Sequence, residues 1–250
     1  YLNSTRLFSN QFLTWLNKFS FSGNVRGVFE GTPIFPNEPI LEVTAPIAEA
    51  QIIETFVLNQ LNFQTLIASK AARIVGAASG RPVIDFGARR AHGIDAAVKA
   101  ARASSIAGVL GTSNVLAGKI YQLPLVGTMA HSYIQAHSSE EEAFRAFVRN
   151  FPNTTLLVDT YDTIGGVKKI TRLVKDLDPE FRIKAIRIDS GNIIESATEA
   201  RNILNKAGLS DVKIIASGGL DEWSISEIVK SGAPVDSFGV GTRMVVSEDS

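Results

Sequence analysis

The stretch Ile183-Lys184-Ala185-Ile186-Arg187-Ile188-Asp189-Ser190-Gly191 decides the fold class. Its first six residues hold three isoleucines, and polar residues and a glycine follow at once. Such a run reads as a strand that ends in a turn. Residues 193–206 then repeat apolar side chains at helical spacing, and 212–216 is again short and apolar. Strand, turn, helix, strand is the unit from which parallel sheets are built.

The same rhythm extends in both directions. Short apolar runs occur at 82–86, 107–110, 125–127, 155–158, 183–188, 212–216 and 237–240. Amphipathic segments at 91–103, 139–149, 164–175, 193–206 and 222–231 fill most of the intervals. Seven strands with interleaved helices predict an α/β fold with a parallel sheet, and right-handed crossovers would close it into a barrel. An open doubly wound sheet competes, and the spacing leaves both open. Before residue 80 the pattern differs. Residues 25–45 are punctuated by Gly27, Gly31, Pro33, Pro36 and Pro39, which predicts a small sheet with tight turns. Residues 47–78 predict one long helix, or two with a break near 59–62. The expected division is a smaller N-terminal domain at 1–79, ending in that connecting helix, and a barrel domain at 80–250.

Composition narrows the function classes. Apolar residues make up 45% of the chain and charged residues 20%, the profile of an ordinary globular protein. Net charge is zero, so no one-sided basic field points to nucleic acid or an anionic membrane. A phosphorylated ligand must therefore be held by a local cluster of donors. With no cysteine, disulfide frameworks and thiolate metal sites are excluded. No apolar run approaches the roughly 18 residues of a membrane span. Residues 1–21 lack the pattern of a secretory signal, so a cytoplasmic location is expected. The chain begins without methionine and stops abruptly after 245–250, as expected of a piece of a longer protein.

The polar residues gather after the strands. The predicted strand ends read Asp85-Phe86-Gly87-Ala88-Arg89-Arg90, Gly111-Thr112-Ser113-Asn114, Gly127-Thr128-Met129-Ala130-His131-Ser132, Asp159-Thr160-Tyr161-Asp162, Arg187-Ile188-Asp189-Ser190-Gly191, Ser217-Gly218-Gly219 and Gly239-Val240-Gly241-Thr242-Arg243. In a barrel these ends share one face, where such folds place their chemistry. Asp162, Thr112 and Asp221 are equally explained as helix caps. Capping does not explain arginines and a histidine on the same rim, because cations are unfavourable at helix N-termini. An anionic ligand does. Gly218, Gly219 and Gly241 allow backbone N–H groups to approach a phosphate after the last two strands. Gly239-Val240-Gly241 is not a dinucleotide fingerprint, since the third glycine is missing. His131 is the catalytic candidate among three histidines; His92 and His137 are expected near helices on the solvent side, without a role. No pair of histidines has zinc spacing. Lys168-Lys169 reads as a solvated helix face; Phe86 is a core aromatic by default, but its place at a strand end makes it a candidate stacking surface for a flat ring.

Together these motifs resemble nicotinate phosphoribosyltransferase. So do Glu30-Gly31-Thr32 through Glu38-Pro39-Ile40-Leu41 and the helix around Leu58-Asn59-Gln60-Leu61-Asn62-Phe63-Gln64. The resemblance implies an irregular, TIM-like α/β barrel of about seven parallel strands beside an open-faced α/β domain, incomplete here. It also implies a homodimer with shared active sites. The implied reaction joins nicotinate to 5-phosphoribosyl-1-pyrophosphate, giving nicotinate mononucleotide and pyrophosphate on the route to NAD. ATP would be consumed as co-substrate through a phosphohistidine at His131, which places the enzyme among the ligases, and Mg2+ would serve the pyrophosphate. Phe86 would stack on the pyridine ring, with Thr128 and Arg187 near its carboxylate. Arg89 would grip the pyrophosphate, and Asp189, with Ser190 and Gly191, would hold the ribose. Ser217, Gly218, Gly219, Gly241 and Thr242 would take the 5′-phosphate. No metal ligand is assigned: Asn192 stands where the family has Asp.

Ser113 separates the base choices. Related nicotinamide enzymes carry Asp at that position, and a carboxylate facing nicotinate would be repelled in a dry site. Serine can donate instead. The rivals are a quinolinate or nicotinamide phosphoribosyltransferase, or a non-catalytic fragment of one.

Overall fold

The protein is described here by a computed structural model covering residues 1–176 and 182–246. It divides into two compact units, Tyr1–Phe63 and Gln64–Ser250.

In the first unit, helices α1 (Leu2–Thr5) and α2 (Asn10–Asn17) precede an antiparallel pair, β1 (Asn24–Gly27) and β2 (Leu41–Thr44). Ser9 caps α2 by accepting the Phe12 N–H. Along that helix Phe8, Phe12, Trp15 and Phe19 stack in succession, with ring centroids 5.4, 5.7 and 5.6 Å apart. The expected small sheet at 25–45 is present. The long helix α3 (Ile47–Ala77) runs unbroken through residues 59–62. No glycine or proline interrupts it before Gly76, so nothing in that stretch removes an intrahelical bond.

The second unit holds β3 (Val83–Asp85), α4 (Ile94–Ile106), β4 (Gly111–Thr112), α5 (Val115–Tyr121), α6 (His131–Gln135), α7 (Glu140–Asn150), β5 (Thr154–Leu157), α8 (Thr163–Leu173), β6 (Ile183–Ile188), α9 (Ile193–Lys206), β7 (Lys213–Ala216), α10 (Glu222–Lys230), β8 (Ser237–Val240) and α11 (Thr242–Val245). Short 3-10 turns lie at Ala88–Arg90 and Val174–Asp176. All sheet pairings here are parallel, in the order β4-β3-β8-β7-β6-β5. The decisive pair is β3 with β8, the first strand with the last. In a doubly wound sheet the order reverses about an early strand. Here the first and last strands lie side by side and the rest follow in chain order, with β4 and β5 at the two edges, which is a curled, part-open barrel sheet. Its core includes Phe144, Leu156, Ile186, Ile188 and Phe238, all fully buried.

Two expected strands differ. Residues 107–110 are not a strand; Gly108, at φ +99°, turns the chain out of α4, and sheet bonding starts with the Leu110 N–H to the Val83 carbonyl at 2.8 Å. Residues 125–127 contribute only a bridge from Leu125 to Thr112. Pro124, just before it, has no N–H to donate and only its carbonyl joins, accepting the Thr112 N–H at 3.0 Å. The sheet therefore has six strands plus this bridge.

Candidate active site

Parallel pairing puts the C-terminal ends of all six strands on one edge of the sheet, and the site is built there. At its centre is Arg187, the fifth residue of β6. Its Nε donates to Ser217 Oγ at 2.7 Å, its Nη1 to Thr128 Oγ1 at 2.8 Å, and its Nη2 to Asp189 Oδ1. Its guanidinium carbon lies 5.2 Å from the centroid of the Phe86 ring. One side chain thus joins the loops after β3, β6 and β7 and the segment before α6. Gly239 makes room for the arrangement, since a Cβ there would meet Phe86 Cε2 at 2.4 Å.

Asp189 follows β6. Its Oδ1 also accepts from Ser217 Oγ at 2.5 Å, and its Oδ2 lies 3.4 Å from His131 Nε2. Burial pushes the carboxyl upward, but hydrogen bonds from Ser217, the Arg187 charge and His131 outweigh it and hold Asp189 below its ordinary range. His131 opens α6, and its Nδ1 lies 3.2 Å from Thr160 Oγ1. Gly218 stands at φ +90°, and a Cβ there would fall 1.7 Å from the Asp189 carbonyl oxygen. Only glycine fits there. Gly219, at φ +66°, faces open space.

Arg187, Asp189, Ser217, Thr128, Phe86 and His131 are therefore brought together as the sequence predicted. Ser190 turns aside: its hydroxyl donates to Asp159 Oδ2 at 2.5 Å. Gly191 takes φ +76° in the same loop. Arg89 is exposed on the 3-10 turn after β3, and Ser113 is exposed after β4. Gly241 caps α11, whose first residue is Thr242. Asp162 and Asp221 are helix caps, accepting from Gly165 and Ser224, and so is Asn192, through Glu195. Thr112 is not the cap of α5, which is Asn114; its hydroxyl donates to Asp85.

Two expectations are corrected. Lys169 does not lie on a solvated face, because its Nζ meets Glu140 Oε2 at 2.8 Å and the Glu140 side chain is only 1% exposed. A buried carboxylate demands a cation, and α8 supplies it. Lys168 is exposed as expected. His92 is exposed too, but His137 is partly covered, its ring 4.6 Å from Tyr133 and its Nδ1 2.8 Å from the Tyr133 carbonyl.

Sequence reasoning assigned no role to Asp85, Asp159 or Thr160. Asp159 Oδ2 accepts the Asp189 N–H at 2.9 Å as well as Ser190, while its Oδ1 is buried without a partner. Asp85 and Asp159 share one signal: each is an acid ending an apolar strand, where a carboxylate can order the loop beyond it.

Residues 82–248 match the profile of the "Nicotinate phosphoribosyltransferase (NAPRTase) family", and residues 1–62 match its N-terminal domain. The chain belongs to the nicotinate phosphoribosyltransferase family. Across all 250 residues it is 54% identical to nicotinate phosphoribosyltransferase pncB2 of Mycobacterium tuberculosis, covering 54% of that protein. Among solved structures it resembles nicotinate-nucleotide pyrophosphorylase from Pyrococcus furiosus, with TM-score 0.79, 33% identity, and coverage of 90% of this chain and 58% of that one. Human nicotinic acid phosphoribosyltransferase shares the fold at TM-score 0.86 and 24% identity, over 96% of this chain and 60% of that one. The chain spans about half the length of the curated nicotinate phosphoribosyltransferases it matches.

Proposed function

We propose that this chain acts as a nicotinate phosphoribosyltransferase, transferring the phosphoribosyl unit of 5-phosphoribosyl-1-pyrophosphate to nicotinate in NAD salvage. The supporting observation is Arg187, poised over the Phe86 ring and tied to Thr128, Ser217 and Asp189. Phe86 offers a face for the pyridine, and the Arg187 guanidinium is a bidentate partner for its carboxylate. In the reaction the pyridine nitrogen bonds to the anomeric carbon as the bond to pyrophosphate breaks. Positive charge grows on the ribose and negative charge on the leaving group. Asp189, held ionised, stabilises the first; Arg89 stabilises the second. Ser190 and Gly191 border the ribose, and the backbone N–H groups of Gly218, Gly219, Gly241 and Thr242 take the 5′-phosphate.

Mg2+ and ATP belong to the same proposal. Among the described residues no cluster of three metal-ligating side chains exists. Magnesium usually needs only one or two carboxylates plus substrate phosphates, and Asp189 Oδ2 and the unpartnered Asp159 Oδ1 are oxygen donors of that kind. When bound, the ion would neutralise the departing pyrophosphate. His131, beside Asp189, is the group we assign to phosphorylation by ATP. Its dianionic form would place charge next to the leaving group's site. A homodimer with shared sites is supported by the family resemblance and by the exposed Phe29, Phe35 and Phe56. Nucleic acid is not a partner in this reading, given the zero net charge, and no described helix is long and apolar enough to cross a membrane. A cytoplasmic location fits a sugar phosphate donor that crosses no membrane unaided.

The test mixes purified protein with the donor and nicotinate, nicotinamide or quinolinate, with and without ATP. Product with nicotinate, faster with ATP, is expected. Product with quinolinate only would replace this reading, and none with any base would make the chain a non-catalytic fragment.

A further inference from the structure

Asp85 lies at the end of β3, 1% exposed, beneath the candidate site. Each carboxylate oxygen has its own donor. Oδ1 takes the Gly87 N–H at 2.7 Å, two residues along the loop that carries Phe86 and Arg89. Oδ2 takes the Thr112 hydroxyl at 2.7 Å, from the neighbouring strand β4. Thr112 Oγ1 in turn accepts the Asn114 N–H at 3.0 Å, and the Asp85 carbonyl accepts the Ser113 N–H at 2.9 Å. Ser113 is thus bracketed on both sides by bonds that lead back to Asp85.

The loop after β3 is gripped from its other flank too. The Phe86 N–H donates to the Val240 carbonyl at 2.8 Å. Gly87 packs so closely that a Cβ would meet Val245 Cγ1 at 2.3 Å. That helix end is itself anchored, since the buried Lys70 donates to the Val246 carbonyl at 2.7 Å. Burial of a carboxylate is unfavourable, and an apolar residue would fill β3 at no such cost. A buried acid with both oxygens engaged is a device for fixing geometry.

We infer that Asp85 is a positioning residue that sets the spacing between the Phe86 ring and Ser113, and so governs recognition of the base. It touches neither base nor donor; it acts through Gly87 and Thr112. The inference rests on the assignment of Phe86 and Ser113 to the pyridine base. The ribose part of the donor site, built on β6 and β7 around Asp189 and Ser217, does not depend on it; only Arg89, on the pyrophosphate side, shares its loop.

Asp85→Asn keeps an oxygen for Gly87 but turns an NH2 toward Thr112 Oγ1, leaving the hydroxyl proton without its acceptor. The nicotinate KM should rise about tenfold, in line with loss of a charged hydrogen bond. The KM for the phosphoribosyl donor should rise clearly less, since of the donor's contacts only Arg89 shares this loop, and the preference for nicotinate over nicotinamide should narrow. Thr112→Val should repeat the effect and Thr112→Ser should not. Equal rises in both KM values alongside a lower Tm would overturn the inference, as would a wild-type nicotinate KM in Thr112→Val, which stands even if Asp85→Asn fails to fold. A wild-type protein that turns over no pyridine base would instead refute the proposed function itself.

Discussion

Arg187 holds its guanidinium 5.2 Å from the centre of the Phe86 ring while donating through Nε to Ser217 at 2.7 Å. A planar fork satisfies both demands at once, and lysine cannot. Arg187→Lys should keep the charge but lose the fork, and kcat/KM for nicotinate should fall about 10- to 100-fold. Steady-state kinetics check this, and a change below about threefold would show that charge alone suffices at this position.

Gly218 and Gly219 look interchangeable in sequence, but their surroundings differ. Gly218→Ala forces a Cβ against the Asp189 carbonyl and should destabilise the protein by about 3 kcal/mol or more. Gly219→Ala meets only the cost of its φ, about 1–2 kcal/mol. Thermal melts of the two variants should separate clearly, with Gly218→Ala the lower.

The acid limb of stability should carry Asp189's signature. Its carboxyl titrates below its ordinary value of 3.8 in the folded protein, so its contribution is present above that value and fades as pH falls through the folded one. Asp85 runs the other way: burial raises its carboxyl, although Gly87 and Thr112 oppose this, so its contribution is largest below 3.8 and is lost as pH rises through the folded value. Asp189→Asn should therefore flatten the fall in Tm at acid pH. An unchanged acid limb in that variant would contradict the paired geometry.

Lys169→Met should leave Glu140 buried without its cation. Because Lys169 is one-third exposed, the loss should be about 2 kcal/mol, less than for a fully buried pair. The double variant Lys169→Met with Glu140→Leu should recover much of it, as measured by chemical unfolding.

Much of the fold and most of the site residues were legible because both follow from what ends a strand. Apolar runs located β3, β5, β6, β7 and β8 to within a residue or two, and the C-terminal ends of these strands and the residues after them supplied Phe86, Arg187, Asp189, Ser217 and Gly218. Barrel closure was not legible, because no local pattern says that β3 lies beside β8. The edge at 125–127 was misread since an apolar run does not reveal that Pro124 withholds a donor. Asp85 and Asp159 escaped because Thr112, Asp189 and Ser190, which engage them, lie on other strands and loops, which spacing does not encode. The Lys169 pairing was hidden for the same reason: Glu140 belongs to another helix.

The pairing of β3 with β8 has a consequence for how the molecule is made. The first stave of the barrel leaves the ribosome with one flank bare, and its neighbour β8 follows only about 150 residues later. At about 5–20 residues per second, that flank waits on the order of ten seconds. During this interval an apolar strand edge stands ready to join any other strand, so escape from aggregation rests on keeping it shielded until β8 arrives.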